Sequence, residues 1–200
     1  MRLPSTYALD KESIKLNAYR LLCHFYANKE IARSVDPDNR DDPFAKLEDC
    51  YFHREMSKLL IDIAISLRIL DDQMSKADEA SDEVIAYNRR KTEVNRKYSC
   101  MMFDDMSLRE VCNKIIHAEV VEPHFAESDD GTHKIDSFNW LYWSDSMEQS
   151  GDTDIPKPEP IKWKYLARRI RLGGRKGKQK WWFLLEVPTF VNAIIELLDE

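Results

Sequence analysis

Apolar residues recur at three- and four-residue spacing in two long stretches near the start of the chain, which is the pattern of amphipathic helices. The first stretch predicts a helix from about Asp10 to Val35. Its predicted buried side carries Ile14, Ala18, Leu21, Leu22, Phe25 and Tyr26. The second helix is predicted to begin after Asp42, because an aspartate cap followed by Pro43 is a typical helix start.

This second helix is predicted to run to about Met74. Its predicted buried side carries Phe44, Leu47, Tyr51, Leu59, Leu60, Ile63, Leu67 and Leu70. The connection between the two helices is short and rich in turn formers, so we expect them to pair antiparallel. We also expect the stripes around Leu21 and Leu60 to converge in one core with a third stripe around Ile115.

That third stripe belongs to a helix that Ser107 opens. Glu110 follows three residues later, which is the spacing of a capping box. The predicted buried side of this helix carries Leu108, Val111, Cys112 and Ile115. Residues 75–105 are polar and charged, and predict a solvated helix or an ordered loop. Residues 126–160 predict a loop apart from an aromatic cluster at 138–143, and alternate prolines make their last part extended.

The C-terminal part predicts a hairpin and a helix. Strands Lys162–Leu172 and Lys180–Val187 flank a turn region with Gly173, Gly174 and Gly177, which gives the hairpin a long basic tip. A final apolar helix follows Pro188. The predicted fold is mainly α (α+β): a helical bundle over 1–126, an aromatic and proline-containing linker over 127–160, and a basic hairpin with its helix over 161–200, packed on the bundle as one compact domain.

Composition narrows the class of protein. The chain is 43% hydrophobic and 33% charged, as in ordinary globular proteins. No run approaches the roughly 18 apolar residues of a membrane span, and the first residues lack the apolar core of a signal peptide, so we expect a cytoplasmic protein. The four cysteines form no Cys-x-x-Cys pair, which argues against a zinc knuckle. We expect reduced structural thiols, packed as small hydrophobes at Cys23, Cys50 and Cys112, and no metal or cofactor.

Charge is distributed unevenly along the chain. Residues 161–185 contain nine basic residues and no acidic one, whereas the rest of the chain contains 21 basic and 36 acidic residues. The candidate nucleic-acid-binding residues of this segment are Arg168, Arg169, Arg171, Arg175, Lys176, Lys178 and Lys180. Interleaved with tryptophans, they can neutralise phosphates and stack bases. Alternatively, the basic hairpin pairs with acidic helices of its own chain or of a second subunit.

The third helix carries the candidate chemistry. Arg109, Asn113 and His117 are four residues apart on one helix face, away from the apolar stripe. An imidazole can move a proton near neutral pH, and a guanidinium can hold a phosphate. Cleavage of an RNA phosphodiester needs such a base and such a cation. The alternative is that His117 caps the helix end, where a partly cationic ring favours the negative end of the helix dipole.

Residues Leu108–Ala118 resemble the motif helix of the HEPN superfamily, whose signature is an arginine, then four to six intervening residues, then a histidine. Asn113 and His117 match the second half of the motif. Cys112 occupies the arginine position, and Arg109 lies about one turn earlier. The resemblance implies a small helical bundle, commonly a homodimer, that binds or cleaves RNA without a metal in toxin–antitoxin or phage-defence systems. In that setting a cognate protein partner is also expected, whereas a membrane is not.

A hypothesis from another class fits the same bundle. The chain would then be a non-enzymatic protein–protein interaction module in which Arg109, Asn113 and His117 have structural roles. These two hypotheses differ in whether the purified protein cleaves single-stranded RNA without added metal and loses that activity in His117→Ala.

Overall fold

The computed structural model describes residues 9–35, 41–102, 105–128, 130–150 and 159–199. Its helices are α1 (Lys11–Ala32), α2 (Pro43–Lys76), α3 (Asp82–Met102), α4 (Leu108–Ile116), α5 (Lys134–Ser150) and α6 (Val187–Leu198). Its strands are β1 (Val120–Ser128), β2 (Trp163–Lys176) and β3 (Gln179–Glu186), which form one sheet in the order β1-β2-β3. The predicted α+β class, dominated by helices, is confirmed.

The chain divides into two compact units. The first contains the residues up to His24, Arg54–His124, and the residues from Arg168 onward. The second contains Phe25–His53 and Phe125–Ala167. All three residues chosen to mark the predicted core, Leu21, Leu60 and Ile115, are buried, and all belong to the first unit.

Helix α6 packs on α3 within the first unit. The guanidinium of Arg90 donates to the Leu197 carbonyl oxygen at 3.1 Å, and the Tyr98 hydroxyl donates to Glu196 at 2.6 Å. Because α6 is apolar on nearly every side, most of its residues are buried. Residues 82–102 are therefore a packed helix, whose buried residues include Val84, Tyr87, Val94 and Tyr98.

In the second unit, the end of α1 and the beginning of α2 run antiparallel, as expected. The rings of Phe25 and Phe52 are 5.7 Å apart, and the Asn28 amide, about one turn later in α1, donates to the Glu48 carboxylate, one turn earlier in α2. The Asn28 side-chain oxygen also accepts from the backbone N–H of Leu166 at 2.6 Å. The predicted cap is confirmed: Asp42 accepts the N–H of Phe44 at 2.8 Å.

The predicted buried side of the first turns of α2 is wrong. Phe44, Leu47 and Tyr51 are each more than half exposed, whereas Phe52 is buried and Glu48 half-buried. Apolar residues recur at helical spacing on both faces of this short segment. Packing on α1 buries the face that carries Phe52. Later in α2 the prediction is confirmed, since Leu59, Leu60, Ile63, Leu67 and Leu70 are buried.

The predicted loop over residues 126–160 is also corrected, because it contains the end of β1 and all of α5. Histidine 133 fixes the start of α5. Its Nδ1 accepts the backbone N–H of Ile135 at 3.2 Å, and its Nε2 lies 2.9 Å from the Val35 carbonyl oxygen. The ring is fully buried, so it is a structural cap that the polar local sequence did not reveal.

The hairpin differs from the prediction in its turn. Residues Gly177 and Lys178 alone connect β2 to β3, and Gly177 has a φ of +63°, which favours glycine at the first turn position. Gly173 and Gly174 are not turn residues. They are buried inside β2, opposite Trp182 and Trp181 respectively.

Candidate nucleic-acid interface

Helix α4 forms as its local sequence predicts. The Ser107 hydroxyl oxygen accepts the backbone N–H of Glu110 at 3.3 Å, and the Glu110 carboxylate accepts the Ser107 N–H at 2.8 Å. These bonds to Ser107 lower the pKa of the Glu110 carboxyl group. The predicted stripe is buried, including Val111 and Cys112, and burial raises the pKa of the Cys112 thiol to about 12.

Arg109 does not project into an open cleft, because its guanidinium is held by two carboxylates. One nitrogen donates to Asp71 and the other donates to Asp72 at 2.7 Å. Asp71 is only 4% exposed, and it also accepts from the Lys91 ammonium at 2.5 Å and from the Tyr87 hydroxyl at 3.1 Å. Burial and the Asp71 charge raise the pKa of Tyr87. Arg109 is therefore part of a partly buried polar network around Asp71.

His117 lies at the other end of α4. It is the C-terminal cap residue, its backbone N–H donates to the Asn113 carbonyl oxygen at 3.1 Å, and its side chain is exposed. Eight residues of helix place His117 about 12 Å along the axis from Arg109. The helix thus holds Arg109 in one network and presents His117 elsewhere, with the half-buried Asn113 between them.

The His117 end of α4 rests against the hairpin. A Cβ atom added to Gly174 would come 2.8 Å from the His117 carbonyl oxygen, so only glycine allows this close approach. The backbone N–H of Glu119 donates to the Gly173 carbonyl oxygen at 2.8 Å. The Lys114 ammonium lies 4.1 Å from the centre of the Trp181 ring. Two groups of predicted site residues, the end of α4 and the basic hairpin, are thereby adjacent.

Cross-strand pairing assigns each residue of the hairpin to one of two faces. Ile170 and Leu172 pair with Leu185 and Phe183, and all four are buried. The opposite side, here called the outward face, carries Arg169, Arg171, Gly173 and Arg175 from β2 and Lys180, Trp182, Leu184 and Glu186 from β3. Arg168 has a φ of +60°, a bulge-like interruption that leaves both Arg168 and Arg169 exposed.

Trp182 is the large aromatic group of the outward face and is 49% exposed. Its indole lies on Gly173, where an added Cβ would come 2.3 Å from the ring. The Arg171 guanidinium carbon is 4.0 Å from the ring centre. The indole is therefore held in place by contact with Gly173 and by a cation over its ring.

Acidic residues pair with three of the arginines. The distances are 3.8 Å from Arg169 to Glu186, 3.5 Å from Arg171 to Glu122, and 3.4 Å from Arg175 to Glu119. By contrast, the tip residues Lys176, Lys178 and Lys180 are exposed and form no ion pair within the described ranges. These three arginines thus pair with carboxylates of the same sheet and of the segment before β1, not with acidic helices, and the lysines of the tip are exposed.

Glu119, Glu122 and the Gly173–Trp182 contact were not among the predicted site residues. Strand register decides which residues oppose each other, and register depends on pairing between distant segments. The alternation of apolar and polar residues in β3 is the one local signal that could have assigned Trp182 to the outward face.

Comparison with known proteins finds no family model, no curated protein and no solved structure that matches this chain. The described side chains include no group of three or more histidine, cysteine, aspartate or glutamate residues placed to bind a metal ion. No helix in the described ranges combines the length and apolar character that a membrane crossing requires.

Proposed function

We propose that this chain is a HEPN-like, cytoplasmic protein that binds RNA through the outward face and the tip of its hairpin. The observation that carries the proposal is the exposed Trp182 indole, stacked with Arg171 and surrounded by basic residues. The group comprises Arg168, Arg169, Arg171, Arg175, Lys176, Lys178 and Lys180. An aromatic plane bordered by cations offers both base stacking and phosphate neutralisation.

The charge arrangement favours an anionic partner. Arg175 lies directly opposite Lys180 across the hairpin, and like charges in that position destabilise a strand pair. Lys176 and Lys178 follow at the tip, which concentrates positive charge on a protein whose net charge is −6. A bound phosphate backbone would neutralise the lysines of the tip, whereas Arg175 already has Glu119 as a partner.

Binding without cleavage is the form of the function that the geometry supports. A phosphate clamp and a general base must reach the same phosphodiester. Arg109 is held by Asp71 and Asp72, about 12 Å along α4 from His117. We therefore expect purified protein to leave single-stranded RNA intact. Metal-independent cleavage abolished by His117→Ala would instead establish the catalytic form of the proposal.

The binding proposal is tested by measuring RNA affinity against salt concentration. Each phosphate contact to a single strand contributes about −0.7 to the slope of log K against log salt. Replacing Lys176, Lys178 and Lys180 with glutamine should therefore make the slope shallower by about 2. Fluorescence anisotropy with a labelled 12-nucleotide RNA measures both quantities.

A matched control replaces three exposed lysines elsewhere, Lys58, Lys76 and Lys134, with glutamine. This variant changes the net charge by the same amount as the hairpin variant. If the hairpin is the binding site, the control's RNA affinity and salt slope should stay near those of the wild type. Equal losses in the two triple variants, or no binding by the wild type, would overturn the proposal.

The interaction-module hypothesis has its own supporting observation in the second unit. Phe44, Leu47 and Tyr51 form an exposed apolar row on α2, at the spacing of a helix-recognition surface. If this row mediates the expected homodimer, light scattering should give a dimer mass for the wild type and a monomer mass for Leu47→Glu. Ile85→Glu changes an equally exposed apolar residue on α3 and should leave the mass unchanged. A monomeric wild type would remove the dimer, whereas RNA binding would be unaffected.

A further inference from the structure

We propose that the outward face of the hairpin selects single-stranded over double-stranded RNA. The selection arises because a stacking group is accessible there while carboxylates compete for the arginines. This inference rests on the proposed RNA-binding function and adds its substrate class. Two features of the face carry it: the preset indole of Trp182 and the positions of Glu119 and Glu122.

Trp182 gives an unpaired base a stacking group whose position is already fixed. Its indole is about half exposed and lies against the backbone at Gly173, so its orientation is already set. Arg171, 4.0 Å from the ring centre, adds a second planar group to the same stack. Aromatic and guanidinium planes recognise splayed-out bases, which single strands offer and which a duplex keeps stacked inside its helix.

Glu119 and Glu122 work against recognition of phosphates at the same place. They lie on the segment next to β2 and pair with Arg175 and Arg171 at 3.4 and 3.5 Å. A phosphate that approaches either arginine must displace a carboxylate, which then remains nearby as a like charge. The free protein thus already supplies the anions that a phosphate backbone would provide.

This competition lowers the affinity for duplex RNA more than the affinity for a single strand. Recognition of an A-form duplex depends on phosphate and 2′-hydroxyl contacts, because its bases are not available for stacking. A single strand retains the Trp182 contact even where phosphate contacts are weakened. The lysines of the tip can contact phosphates of either RNA. They therefore raise the affinity for both and do not determine the preference for single strands.

The experiment compares one 12-nucleotide RNA, single-stranded and annealed to its complement, in the same anisotropy assay. Wild-type protein should bind the single strand at least about tenfold more tightly than the duplex. Trp182→Ala should weaken single-strand binding about tenfold, in line with the effect of losing one stacked base, and change duplex binding little. Trp182→Phe, which keeps an aromatic plane, should retain most of the affinity. Circular dichroism of each variant verifies the fold.

A second pair of variants tests the competition directly. Changing both Glu119 and Glu122 to glutamine should raise duplex affinity several-fold and narrow the preference, because the competing charges are gone. The double change of Glu127 and Glu83 to glutamine is the control matched in charge, since these exposed carboxylates pair with Lys164 at 2.9 Å and with Lys11 at 3.8 Å, not with an arginine of the outward face. It should leave both affinities unchanged.

The outcomes separate this inference from the function on which it rests. Absence of binding to either RNA overturns the proposed function and the inference with it. Tight, salt-dependent binding with equal affinity for both RNAs, or with a preference for the duplex, leaves the function standing and overturns the selectivity. Loss of single-strand affinity in Trp182→Phe equal to that in Trp182→Ala would overturn the stacking contact.

Discussion

Replacing Arg109 with alanine is expected to lower the free energy of unfolding by about 2 kcal/mol, below the roughly 3–5 kcal/mol for a fully buried ion pair, because the Arg109 side chain is itself 34% exposed. The change leaves the Asp71 carboxylate, only 4% exposed, with Lys91 and Tyr87 as its remaining partners. It also removes the bond from Arg109 to Asp72. Urea unfolding followed by circular dichroism measures the loss.

The control for this prediction is Arg89→Ala. Arg89 also pairs with a carboxylate, Glu93, at 3.2 Å, but both side chains are largely exposed. Exposed pairs of this kind contribute roughly 0–1 kcal/mol, so the stability should hardly change. If Arg109→Ala were as stable as Arg89→Ala, Arg109 would not be a structural residue, and its assignment as a phosphate clamp would gain support.

The Cys112 thiol is expected to react with a disulfide reagent at pH 8 on the order of 10³-fold more slowly than an exposed thiol. Burial within the apolar stripe of α4 raises its pKa to about 12. The reactive thiolate is therefore on the order of 10⁻⁴ of the population at pH 8, compared with about one quarter for an ordinary thiol of pKa about 8.5. Release of the coloured thiolate on reaction with Ellman's reagent gives the rates.

Cys23 and Cys50 provide the internal comparison, because both are exposed. The measurement is made on a Cys100→Ser variant, so that Cys23, Cys50 and Cys112 are the three remaining thiols. Two thiols should react rapidly, and the third should react only after urea unfolds the protein. Rapid reaction of three thiols in the native protein would show that α4 opens readily, and would contradict its place in the core.

The cysteines also illustrate how far a local pattern can be trusted. Cys23, Cys50 and Cys112 are predicted to be buried in helical stripes of apolar residues. This prediction is confirmed for Cys112 and wrong for Cys23 and Cys50. Helix α4 has one pronounced apolar face, so its buried side is unambiguous. Around Cys50 the apolar residues occupy two faces of α2, and packing on α1 buries the face that carries Phe52, so Cys50 remains exposed.

The carboxylates that bind the side chains of the candidate site come from distant segments of the chain. Arg109 is bonded to Asp71, 38 residues earlier in the chain, and nothing near Arg109 in the sequence identifies that carboxylate. The sequence prediction that Arg109 shares a helix face with Asn113 and His117 describes the helix correctly. It could not include the network on α2 and α3 that directs the guanidinium away from His117.

The sequence by itself determined the features that depend on neighbours within about one helical turn or one strand: the caps at Asp42 and Ser107, the stripe of α4, the existence of the hairpin and its positive charge. Only the tertiary structure decided which face of α2 is buried, which carboxylates hold Arg109, and which register places Trp182 on Gly173. The physical reason is how far apart in the chain the interacting residues are. Caps and periodicity are set by backbone geometry between adjacent residues, whereas burial, ion pairing and register are set by whichever distant segments pack together.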